Sequence, residues 1–71
     1  MLKLDPQLVQ VMRSALEDVM TRVPLEYSTS STKVFLAEFI LKAAAQGQTT
    51  YDEFVAAASS QIPEIIKLLF T

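Results

Sequence analysis

Few groups in this 71-residue chain can do chemistry: eight carboxylates, six lysines and arginines, two tyrosines, and a run of hydroxyls. Histidine, cysteine and tryptophan are absent. With them go thiol nucleophiles, disulfide frameworks, histidine bases and the usual zinc and haem ligands. The neighbouring carboxylates Asp52 and Glu53 could act as an acid–base pair only inside a cleft between elements, and a short helical chain builds little of one. Thr50 stands three residues before Glu53, which gives these acids another role. Threonine and glutamate at that spacing form a capping box, and the acids then sit at the positive end of a helix dipole. The expectation is a protein that is not an enzyme, with no cofactor and no metal.

The second candidate is Ser28-Thr29-Ser30-Ser31-Thr32-Lys33. Hydroxyls and a lysine at a helix start could hold an anion or accept a phosphate, because exposed amides and the dipole favour negative charge there. Ser30, Ser31, Thr32 and Lys33 are the residues that would do so. The segment lacks glycine, which phosphate-cradling loops need for close backbone approach. Hydroxyl side chains also compete for backbone hydrogen bonds, so a loop followed by a cap at Thr29, Ser30 or Ser31 accounts for the same residues.

Positioning any of these groups falls to helices. Half the residues are hydrophobic (51%), 20% are charged, the net charge is −2 and the mean hydropathy is +0.31, a composition too apolar for disorder. Asp5-Pro6 reads as a cap and first helical residue. Leu8, Val9, Met12, Ala15, Leu16, Val19, Met20 and Val23 then recur at helical spacing, until Pro24 disfavours helical geometry at Val23. A strand near residues 25–27 would find no pairing partner. The next helix is apolar over most of its circumference, with Glu38, Lys42 and Gln46 as a narrow polar line, and must be covered from more than one side. Gly47 ends it as a left-handed terminator. In the helix after it, Tyr51, Phe54, Val55, Ala58 and Ile62 form the inward stripe. Pro63 either breaks that helix or opens another, with Ser59 or Ser60 as cap. The fold class expected is all-α, a single domain over 1–71 with three to four short helices at about 5–23, 31–46, 50–61 and 62–70, the second being central.

An apolar helix ending in Gly47 and followed by a capped helix has the form of a helix-turn-helix, with residues 60–70 in the recognition position. A reading helix needs side chains that reach base edges and basic groups for phosphates. Gln61 and Lys67 among isoleucines and leucines supply little of either, and the basic residues are scattered. A regulatory DNA-binding protein is therefore the alternative reading, not the leading one.

The leading reading comes from the carboxyl end. Ile62, Ile65, Ile66, Leu68, Leu69 and Phe70 are relieved only by Glu64 and Lys67. One helical stripe cannot hide them all, and each large side chain left in water forgoes roughly 1.5–3 kcal/mol. A domain this small buries only about 60% of its unfolded surface and commonly relies on association. These six residues are the expected interface of a homodimer or of a complex with another protein. Interfacial membrane helices carry a basic polar face, whereas here Glu64 and Lys67 cancel. No window reaches the ~18 uncharged apolar residues of a membrane span, and no signal-like stretch opens the chain, so the expected setting is the cytoplasm.

Ser31-Thr32-Lys33, Leu36-Ala37-Glu38, Ile40-Leu41-Lys42-Ala43-Ala44-Ala45 and Gly47 resemble the core pattern of a group of small, uncharacterised α-proteobacterial proteins, Thr-Ser-Lys-x-x-Leu-Ala-x-x-Ile-Leu-x-x-Ala-Ala-x-Gly. Met12-Arg13-Ser14-Ala15-Leu16-Glu17 is similar to the helix that precedes it. The likeness covers residues 6–58, and Ser31 stands where the group places threonine. It implies a bacterial helical protein and carries no activity, ligand or functional residue.

Overall fold

A computed structural model describes residues 5–71. They form α1 (Pro6–Thr21), a single 3-10 turn (Leu25–Tyr27), α2 (Ser30–Ala45), α3 (Tyr51–Ser59) and α4 (Ile62–Phe70), with no strand among the described residues. The all-α expectation holds.

Local chemistry sets most of the boundaries. The Asp5 carboxylate accepts the Leu8 N–H at 2.7 Å, and Pro6 takes the first helical position, where no donor is needed. α1 stops at Thr21, earlier than expected, because Val23 precedes Pro24 and leaves helical geometry. Val23 is buried all the same. The next three residues, read as loop, wind into a 3-10 turn closed by Tyr27 N–H to Pro24 C=O (2.9 Å) and Ser28 N–H to Leu25 C=O (3.1 Å).

Thr29 is the cap of α2, its hydroxyl accepting the Thr32 N–H at 3.2 Å. At the other end, Gly47 N–H reaches Ala44 C=O (3.0 Å) and Gln48 N–H reaches Ala43 C=O (3.1 Å), while Gly47 holds φ +96°. This is a Schellman motif, and it explains why glycine stands there. The capping box of α3 is complete: Thr50 accepts the Glu53 N–H at 3.2 Å, and Glu53 accepts the Thr50 N–H at 3.1 Å. Ser59 and Ser60 do not cap α4. Ser60 donates back to the Ala57 carbonyl, and Gln61 occupies the cap position without a side-chain bond. Pro63 lies in the first turn, which tolerates it. Residues 51–70 are thus two helices.

α2 packs against α1, α3 and α4, and α1 and α3 also pack on each other. Ala15 and Val19 of α1, Leu36 and Ile40 of α2, and Phe54 and Ala58 of α3 make the interior. Complete burial of Phe54 alone stabilises the fold by about 1.5–3 kcal/mol. α2 is central, yet its apolar circumference is not closed. Val34 is 59% exposed and Leu41 43%.

Candidate functional site

The four residues of the anion-site expectation do not converge. Thr32 is 1% exposed, and its hydroxyl donates to the Tyr27 carbonyl at 2.7 Å and lies 3.2 Å from the Thr29 hydroxyl. A group spent on tying the 3-10 turn to α2 is no phosphate acceptor in the folded chain. Lys33 turns away to Glu17 of α1, with Nζ to Oε1 at 2.9 Å. Ser30 and Ser31 are left as exposed hydroxyls in the first turn of α2. The cluster fastens elements together, and its lysine is already paired.

One polar contact was beyond sequence reasoning. Tyr51, read as part of the inward stripe, is partly exposed, and its hydroxyl donates to Asp18 Oδ2 at 2.6 Å, joining α3 to α1. Arg22 Nε lies 3.4 Å from Asp18 Oδ1. The Tyr51 hydrogen bond, followed by Arg22, holds the Asp18 carboxyl below its ordinary range. The same bond pushes the Tyr51 phenol above its ordinary range. Bonds from Thr50, first its hydroxyl and then its amide, likewise lower Glu53. These shifts carry the groups away from neutrality, whereas proton transfer at neutral pH needs them moved toward it. Asp18 and Tyr51 act as a latch.

The carboxyl-terminal surplus is smaller than its composition suggests. Ile65 is 2% exposed and belongs to the core, so it leaves the interface set. Ile62 and Leu69 are half-buried against the same core, and Ile66 is half-buried. Leu68, at 67%, and Phe70, at 40%, face water, and the Phe70 ring lies 4.9 Å from that of Tyr27. Two positions apart on a helix means roughly 160° of rotation at 3.6 residues per turn, so Leu68 and Phe70 stand on opposite flanks of α4. They do not make one patch.

The contiguous apolar surface lies elsewhere. Between α1 and α2 runs a groove of about 210 Å³, lined by Val9, Met12 and Leu16 from α1 and by Ala37, Ile40 and Leu41 from α2, with the exposed Arg13 alongside. Leu41 also belongs to the bare outer stripe of α2, which Val34 and Ala45 continue. The sequence of α2, apolar on nearly every side, signals a helix covered by several neighbours, but not which sector those neighbours leave open.

Among the described residues no group of three or more Asp and Glu side chains could hold a metal ion, and no helix is long and apolar enough to cross a membrane. The class defined by fold and surface is a small all-α bundle with an apolar groove between its first two helices. No protein-family model matches the chain, and no curated protein or solved structure is similar to it.

Proposed function

We propose that this protein is a protein–protein interaction module of the bacterial cytoplasm, working as a homodimer or on a protein partner through the face formed by α1 and α2. The observation that carries this reading is the continuity of the 210 Å³ groove with the exposed Val34 and Leu41. Apolar surface that runs on in this way characterises binding sites more than free surfaces. The face carries Arg13, Glu38 and Lys42, too little positive charge to favour nucleic acid. The bacterial setting is part of the proposal and follows the likeness expected of residues 6–58 to small α-proteobacterial proteins.

Affinity capture from the native cell, read beside the oligomer mass, tests the proposal. Ala37→Arg puts a long charged side chain into the groove and is expected to abolish the specific complex while the helical circular dichroism persists. A strict monomer retaining no partner, or a complex indifferent to Ala37→Arg, would refute the assignment.

A further inference from the structure

Resting on that reading, we infer that the occupant of the exposed α2 stripe is a second copy of this chain, with the two α2 helices crossing antiparallel about a two-fold axis at the level of residue 40. The stripe complements itself in one register. Val34, Leu41 and Ala45 share the exposed side of α2, and Glu38 and Lys42 lie along one edge of it. In an antiparallel pair, residues equally far from the axis on opposite sides meet. Glu38 and Lys42 stand two residues either side of residue 40, ~3 Å along the helix, so Glu38 faces the partner's Lys42 and the reverse. Val34 and Ala45 stand six and five residues from the axis, ~9 and ~8 Å, which sets a branched side chain against a small one. Leu41, one residue from the axis, stands only ~3 Å along the helix from the partner's Leu41, so the two leucines pack beside each other across the axis.

These matches arise together because an isologous interface requires one patch to fit itself. Among the described residues neither charged group has an opposite charge bound within the protomer. The ion pairs among the described residues are Asp18–Arg22 and Glu17–Lys33, and the Lys42 ammonium lies 5.4 Å from the Phe39 ring centroid. The contact is small. A standard interface takes about 800 Å² from each partner, a sixth of the 4794 Å² surface here. A sixteen-residue helix about 24 Å long supplies less than that, so association is weak and depends on concentration.

Sedimentation equilibrium of the full chain from about 10 µM to about 1 mM tests this. The mass is expected to rise from 7.9 kDa toward twice that value, and Leu41→Glu is expected to hold it at monomer. Glu38→Lys alone, or Lys42→Glu alone, sets like charges opposite each other twice across the axis and should weaken association about tenfold or more. The double variant E38K/K42E restores both pairs and should return association to the wild-type level, as should an equimolar mixture of the two single variants. A mass of one protomer throughout overturns the inference but leaves the module reading, which the Ala37→Arg capture experiment decides separately. A dimer indifferent to Leu41→Glu and to the single charge changes places the interface elsewhere and overturns the α2 assignment alone.

Discussion

Replacing Thr32 by valine isolates the hydroxyl that ties the 3-10 turn to α2. The side chain is 1% exposed, donates to the Tyr27 carbonyl at 2.7 Å and lies 3.2 Å from the Thr29 hydroxyl. Valine keeps the branched shape, so the cavity contribution is small and the loss is that of the hydrogen bond. The Tyr27 carbonyl is not orphaned by the change, because the Thr29 N–H also donates to it, at 2.9 Å. The expected cost is therefore that of an ordinary buried hydrogen bond, about 1 kcal/mol, and not the larger penalty of a buried group left without a partner. For a domain of this size that corresponds to a fall in Tm of about 4–8 °C. Urea unfolding followed by circular dichroism should show a lower midpoint with an unchanged slope. Thr29→Ala removes the cap that accepts the Thr32 N–H and should cost about 0.5–2 kcal/mol. The two losses should not add, since the hydroxyls are neighbours. A neutral Thr32→Val, or strict additivity with Thr29→Ala, would refute the view that this hydroxyl clamps the turn.

Gly47→Ala meets no steric obstacle, as a Cβ there finds nothing within 4 Å, but φ +96° is strained for an L side chain. The backbone alone should cost about 1–2 kcal/mol, seen as a lower unfolding midpoint, and an unchanged midpoint would count against the Schellman geometry. The Asp18–Tyr51 bond should contribute to stability in a pH window. The lowered Asp18 carboxyl favours the fold above the ordinary carboxylate range and loses that contribution as pH falls through its folded-state value. The raised Tyr51 phenol favours the fold below the ordinary tyrosine range, near pH 10, and loses its contribution as pH rises. Tyr51→Phe should weaken both limbs of the profile of Tm against pH, leaving the acid dependence due to Glu53, and profiles that superimpose at both ends would refute the latch.

What was legible in the sequence was what is decided within four residues of chain. Asp5-Pro6, Thr50 with Glu53, and Gly47 each act on amides or carbonyls of their own turn, so their residue types suffice to place a helix end. Contacts across the chain were not legible. Nothing local connects Tyr51 to Asp18, and the counts of apolar residues that made Tyr51 look inward and residues 62–70 look overloaded say nothing of which neighbour arrives. Ile65 meets the core, and Tyr27, carried in by the 3-10 turn, partly covers Phe70. The α4 cap was misread for a related reason. Ser59 and Ser60 are good caps in isolation, but Ser60 continues in helical geometry at φ −65° and bonds backward, leaving Gln61 to start the next helix.

The apolar excess is real, but it is not confined to the carboxyl end: α2 leaves Val34 and Leu41 exposed as α4 leaves Leu68 and Phe70, and the reason is geometric. α1, α3 and α4 all approach the side of α2 that carries Leu36, Ile40, Ala43 and Ala44, and three helices gathered there leave the far sector bare. Consecutive residues on a helix differ by about 100°, so Ile40 and Leu41, alike in size and polarity, answer to different demands. Ile40→Ala should cost the fold about 2–5 kcal/mol, the range for truncating a large buried aliphatic, because the side chain lies in the hydrophobic core. Leu41→Ala should leave the unfolding midpoint of the monomer nearly unchanged while lowering association. If both variants lowered the midpoint of the dilute protein equally, Leu41 would be part of the protomer's own core, and the surface assigned to binding would lose the residue that joins the groove to the exposed stripe.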